Sequence, residues 1–331
     1  MAIDVVSVGD IVTDAFIKLE DDQAHVFKDE KGKWIAMPWG VKVPYNHVEE
    51  LKAVGNAPNA SVSFARLGLK SALYANVGDD KYGRDMLVAL EKNKVDTRFM
   101  KINPGKISNY HYVLWYKSER TILIKHEEYK YHWPHLRPDE IPKWIYFSSV
   151  RHNAIKFHDD LADWLDRHDE VKLAFQPGTF QISAGKERLK KLYKLTNVLA
   201  VNREEAVQIT GGDYKDLHGL MDKLHDLGPK IVCISDGPDG AYASDGQKRL
   251  KMPIYPDPSP PFERTGAGDA FTSTFVAALI HGADIEGALQ WGPINSMSVV
   301  QFVGAQKGLL TEPQLNKLLK NSPKWYRPTP F

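Results

Sequence analysis

Eight residues, Arg264-Thr265-Gly266-Ala267-Gly268-Asp269-Ala270-Phe271, have the types and spacing for chemistry on a phosphate. The proline-rich stretch from Pro253 to Pro261 cannot continue a strand and leads into two glycines separated by one small residue. An acid follows, and the apolar run Ala270 to Ile280 then reads as a buried helix. This order predicts a helix N-terminus whose first turn has almost no side-chain bulk. Its backbone N–H groups lack partners within the helix, and the macrodipole adds positive potential, so an anion can rest there. Asp269 would repel that anion if it were only a neighbour. Its place makes sense if it takes the proton of an incoming hydroxyl, and the pairing points to phosphoryl transfer to an alcohol. The plainer alternative is a loop in which Asp269 favours the first helical turn.

Other residues could bind the two reactants. Asp14 lies five positions beyond Gly9, past the β-branched run Ile3 to Val8, at the sheet edge where open α/β folds bind ligands. Its carboxylate can accept from two vicinal hydroxyls, although a loop acid or helix cap would look the same. Gly55, Asn56 and Asn59 introduce a helix with amides that both donate and accept, which suits polyols. Asn59 could equally be an N-cap. Asn202 and Glu205 have the spacing of a capping box, or could organise Mg²⁺ and its waters around phosphates. Ser235, Gly237 and Gly240 close a strand in a turn that could admit a nucleotide.

Several classes are excluded. No Gly-x-x-x-x-Gly-Lys-Ser/Thr, no Gly-x-Gly-x-x-Gly after the first strand, no His-Glu-x-x-His and no Cys-x-x-Cys occurs. The twelve histidines are scattered; His111 and His126 read as surface or hydrogen-bonded residues rather than metal ligands. Lys and Arg number 43 against 42 Asp and Glu, a net charge of +1, with no basic stripe to hold nucleic acid. The one cysteine, Cys233, sits in an apolar run and reads as core. No signal peptide and no membrane segment is legible, so the expectation is a soluble cytoplasmic protein.

The elements that must position these residues follow from periodicity. The 331 residues, 43% hydrophobic and 26% charged, suit one large globular domain. Runs at 72–77, 143–148, 171–176, 198–202 and 231–235 predict buried strands. Helical patterns at 60–67, 84–92, 156–167, 187–195, 204–209 and 217–227 separate or flank them, and helices over 285–302 and 312–320 close the chain. Such alternation predicts a three-layer α/β/α sandwich with a mostly parallel, doubly wound sheet. Two stretches break the pattern. Residues 18–50 alternate polar with aromatic or aliphatic, and 108–125 reads as a hairpin. Together they predict a small β-rich lid on a single domain spanning 1–331. Phe27, Trp34, Trp39 and Tyr45 could cover a ligand within one chain or join a second copy as a homodimer.

In order and spacing, these motifs resemble the ribokinase-like (PfkB) carbohydrate and nucleoside kinases. The resemblance rests on Gly55 through Gly68, Asn76 through Gly83, Asn202 to Glu205, Ser235-x-Gly237-x-x-Gly240 and Thr265 through Phe271. It covers nearly the whole chain. It implies transfer of the γ-phosphate of ATP to a hydroxyl of a sugar, or of a nucleoside in the runner-up reading. Asp269 would be the base, and the backbone of Gly266, Ala267 and Gly268 the anion hole. Asp14, Gly55, Asn56 and Asn59 would hold the acceptor. Asn202 and Glu205 would serve Mg²⁺–ATP, with Glu205 reaching the ion through water, while Ser235, Gly237, Gly240 and Asn295 would line the nucleotide pocket.

The chain also departs from that pattern. Val54 replaces the first of two glycines, and Gln176-Pro177-Gly178-Thr179 replaces Asp-Pro-x-x-Arg. Glu263-Arg264 replaces Asp-Thr, which argues against K⁺ activation and offers Arg264 as a fixed charge near the phosphates. A third reading, a catalytically silent homologue that binds sugar or nucleotide, stays open on the same ground.

Overall fold

The computed structural model describes residues 3–117 and 119–331. Val5–Val8 (β1) is buried along its whole length, as a strand covered on both faces must be. The chain then leaves that layer through Val12–Leu19 (β2), the hairpin His25–Asp29 (β3) and Gly32–Ala36 (β4), and Tyr45–Val54 (β5). Asn56–Arg66 (α1) returns it to Ser71–Tyr74 (β6), followed by Asn76–Gly78 (β7), Lys81–Lys92 (α2) and Lys101–Asn103 (β8). Tyr110–Tyr116 (β9) and Glu119–Leu123 (β10) form the expected hairpin.

From Trp144–Phe147 (β11) onward strand and helix alternate. Ile155–Leu165 (α3) leads to Lys172–Phe175 (β12), and Thr179–Ala184 (α4) and Lys190–Leu195 (α5) lead to Val198–Asn202 (β13). Arg203–Thr210 (α6) and Leu217–His225 (α7) precede Ile231–Ser235 (β14). Ala241–Ser244 (β15) and Arg249–Met252 (β16) turn back before Ala267–Ile280 (α8), Ile285–Val299 (α9), Glu312–Lys320 (α10) and Thr329–Pro330 (β17).

Among the described residues one sheet has the order β17-β16-β15-β14-β13-β12-β11-β1-β6. It is parallel from β6 to β14, and β15 to β17 add antiparallel pairs at one edge. Side chains alternate between two cores. Val6, Val8 and Phe147 pack with Phe157, Tyr193 and Leu224 on one face. Val5 and Tyr146 pack with Phe64, Phe275 and Ile294 on the other. The result is the expected three-layer sandwich. No helix among the described residues is long and apolar enough to cross a membrane.

A second sheet, ordered β10-β9-β2-β5, forms the lid. It begins at Val12, ahead of residues 18–50, from which the lid is expected. The β3–β4 hairpin stands apart as its own two-stranded sheet and exposes Phe27 and Trp34, and Trp39, in the segment after β4, is almost completely exposed. The run expected as one strand over 72–77 is split: β6 joins the large sheet, whereas β7 pairs with β8.

Candidate active site

Gly266 ends the loop that approaches α8 and has a left-handed φ of 79°. A Cβ there would overlap the Cβ of Ala305, so both backbone and space require glycine. Gly268 is different, because a Cβ would meet nothing within 4 Å. No side chain caps α8; the Ala267 N–H makes a long bond to the Arg264 carbonyl at 3.4 Å, and the next two N–H groups are left for a ligand. Ala267 and Gly268 line a cavity of about 320 Å³ that also takes in Ser235, Gly237, Gly240 and Arg264. The turn after β14 and the N-terminus of α8 therefore share one cavity.

Asp269 is buried at that helix start. Its Oδ1 accepts from Asn56 Nδ2 at 2.8 Å and from Gln176 Nε2 at 3.3 Å. Its Oδ2 accepts from Asn59 Nδ2 at 2.8 Å. Burial raises the carboxyl's pKa above the ordinary aspartate value, and the three amides pull the other way. The amides are themselves held. Asn59 Oδ1 accepts from Gln306 Nε2 at 3.0 Å, and Gln176 Oε1 accepts from the buried Tyr146 hydroxyl. Gln176 thus meets Asp269 with a donor, where a carboxylate at this place would repel it. Gly55 opens α1 with φ 118°, and a Cβ there would press on the Asp10 carbonyl at 2.9 Å, which brings Asn56 into reach of Asp269.

At the other end of the site, Asp14 on β2 faces His111 on β9, with Oδ1 3.3 Å from Nδ1. His111 and His126 rings lie 5.0 Å apart, and His126 Nδ1 is 3.7 Å from Asp10 Oδ2. Asp10 also accepts from the Tyr131 hydroxyl. Burial raises the Asp10 pKa to about 6 and, with His111 and Arg151 nearby, lowers that of His126 to about 4. Asp14 Oδ1, His111 Nε2 and His126 Nδ1 are buried without a hydrogen-bond partner. Orphaned polar atoms converging in this way suit a ligand rich in hydroxyls. Of the two readings the sequence left for these histidines, surface or hydrogen-bonded, their place in this buried cluster excludes the first.

One expected role comes out differently, and a second keeps both of its readings. Asn295 is fully buried; it donates to Thr274 Oγ1 at 2.7 Å and accepts from Leu310 N–H at 2.9 Å. It ties α9 to α8, has no exposed surface and does not line the cavity, whereas the next residue, Ser296, does. Asn202 and Glu205 make the reciprocal capping box, each 2.8 Å from the other's backbone N–H. Glu205 uses Oε2 for this. Burial raises its pKa, and the Asp269 charge adds to the effect. Among the described residues no group of three or more His, Cys, Asp or Glu could hold a metal. Glu205 alone offers a single carboxylate, which matches an ion such as Mg²⁺ only where phosphates and water supply the other ligands.

A family model described as pfkB family carbohydrate kinase matches residues 37–312. The chain is 26% identical over 265 residues to an ATP-dependent 6-phosphofructokinase of Thermoanaerobacterium thermosaccharolyticum, covering 76% of this chain and 80% of that protein. It is 26% identical over 269 residues to a ribokinase of Bacillus subtilis, covering 80% and 87%. Arabidopsis thaliana ribokinase, solved with ribose and ATP, superposes with a TM-score of 0.78 at 20% identity, covering 97% of this chain and 99% of that one.

Proposed function

The chain belongs to the PfkB family of carbohydrate kinases and is a sugar kinase, and on that premise we propose how its residues divide the work. Asp269 takes the proton of an acceptor hydroxyl as that oxygen attacks the γ-phosphorus of ATP. The N–H groups of Gly266, Ala267 and Gly268 steady the migrating phosphoryl group. ATP lies in the cavity between the Ser235–Gly240 turn and α8, with Arg264 as a fixed positive charge on its wall. Glu205 would hold Mg²⁺ through water with its remaining oxygen, and the ion would supply positive charge at the phosphates. Asp14, Asn56 and Asn59 hold the acceptor, and Gly55 supplies the turn that aims the two amides.

One observation carries this reading. A buried carboxylate, oriented by three amides, stands at the uncapped start of a helix whose first residues line a cavity of about 320 Å³. A raised pKa suits a base that must accept a proton from an alcohol near neutral pH. The intact arrangement speaks against a silent homologue.

The acceptor end favours a sugar over a nucleoside, because Asp10, Asp14, His111 and His126 offer hydrogen-bonding groups for hydroxyls. No K⁺ requirement is proposed, since the Glu263 carboxylate already has a guanidinium partner in Arg120. The exposed lid aromatics support either closure over the acceptor or a homodimer, which light scattering of the free protein separates. ADP release from ATP–Mg²⁺ across a panel of sugars and nucleosides tests the whole reading. Turnover with a sugar is expected; turnover confined to nucleosides transfers it to the nucleoside class, and silence throughout overturns it.

A further inference from the structure

Glu263 lies three residues before Gly266 and is only 4% exposed. Its Oε1 accepts from Arg120 Nη1 at 2.9 Å, from the Thr265 N–H at 2.6 Å and from the Thr265 hydroxyl. Its Oε2 accepts from the Gly304 N–H at 3.3 Å. One carboxylate thereby joins the loop that enters α8 to the segment after α9. Ala305, next in that segment, packs against Gly266, and Gln306 donates to Asn59, which donates to Asp269. The carboxylate thus connects to both walls of the reaction centre.

Arg120 comes from elsewhere, on the outer strand of the lid sheet. Two neighbouring contacts show that its position is part of a broader seat. Trp115 of β9 meets Phe262 edge-on with centroids 5.7 Å apart, and Leu51 of β5 fills the space over Gly304. Three lid strands therefore rest on residues 262–304. A buried carboxylate without a counter-charge is strongly unfavourable, and breaking a buried pair leaves that penalty in place. A guanidinium also fixes direction, which a hydrated point charge does not.

We propose that Arg120 is a positioning residue: it reaches from the lid as a tethered monovalent cation for Glu263 and so holds the Thr265–Gly268 loop in its phosphate-binding shape. This rests on the reading of that loop as the anion hole. The tethered cation makes a dissolved one unnecessary in the natural chain. Deleting it leaves a buried vacancy of one positive charge, which a small solution cation can fill.

The test compares the natural chain, Arg120→Ala and Arg120→Ala/Glu263→Gln in tetramethylammonium, potassium, ammonium and millimolar guanidinium chlorides at equal ionic strength. Unfolding temperature is read without substrates, and turnover is read with the acceptor found in the panel. The natural chain is expected to behave alike in every salt. Arg120→Ala is expected to lose roughly 10- to 100-fold in kcat with acceptor KM little changed, because a loop displaced by about an ångström loses its alignment. Potassium, ammonium or guanidinium should restore part of the turnover and raise the unfolding temperature. The double variant should lose that response. Natural turnover in Arg120→Ala, or a loss that no cation recovers, overturns the proposal. If no acceptor is found, the kinase reading fails, while the salt response of the unfolding temperature still decides the role of the pair. If Arg120→Ala does not fold, folding of the double variant supports the proposal and its failure to fold counts against it.

Discussion

Asn59 donates from Nδ2 to Asp269 Oδ2 at 2.8 Å, across 210 residues of sequence, while its own Oδ1 accepts from Gln306. The second bond decides the first: with the oxygen turned to Gln306, only the donor end of the amide can meet Asp269. Asn56 and Gln176 add donors to the other carboxylate oxygen. The carboxylate is therefore aimed before any substrate arrives, which in the proposed reaction removes reorganisation from the transfer step.

The pH dependence follows from that environment. Burial raises the Asp269 pKa against the pull of Asn59, Asn56 and Gln176. A base works only when deprotonated, so kcat rises with pH through this titration, and the acid limb lies above the ordinary aspartate range. Asn56→Ala removes a donor that favours the charged form, so the limb moves to higher pH. A kcat–pH profile of the two proteins checks this; a limb that stays put or moves down contradicts it.

The two loop glycines separate stability from chemistry. Gly266→Ala forces a left-handed residue against Ala305, and urea unfolding should show a loss of about 1–3 kcal/mol. Gly268→Ala meets nothing in the protein, so stability stays near the natural value while the methyl intrudes on the cavity and turnover falls. Equal stability losses in both variants would contradict the division.

The acceptor end makes its own prediction. Asp14→Ala and His111→Ala each remove a polar atom that is orphaned in the protein. Acceptor KM should rise roughly 10- to 100-fold, as for a lost hydrogen bond to a charged group, with ATP KM unchanged. Steady-state kinetics with each substrate varied in turn measures both. A rise confined to ATP KM would place Asp14 on the other side of the site.

What was legible in the sequence was local. The uncapped, glycine-bearing start of α8 is written in consecutive residues, and so is the capping box of Asn202 and Glu205. The parallel strands showed because each is a short, mainly apolar run. What was hidden depends on distant partners. Gln306, Gln176 and Arg120 have no local pattern that announces a bond to Asn59, Asp269 or Glu263. His111 and His126 read as surface or hydrogen-bonded residues, and the acids beside them, Asp14 and Asp10, are far off in the sequence. Strands β15 and β16 are four residues each, with Ala241, Ala243 and Ser244 too small to make an apolar run. Asn295 sits in an apolar helix, where a polar side chain reads equally as ligand contact or as buried tie.

The most direct measurement is single-turnover phosphoryl transfer by Asp269→Ala beside ATP binding by the same variant. Transfer should slow by on the order of 10²–10⁴-fold with ATP affinity retained, because the carboxylate acts on the acceptor's proton. Transfer at the natural rate, or a loss explained wholly by weaker ATP binding, would contradict a base at this position.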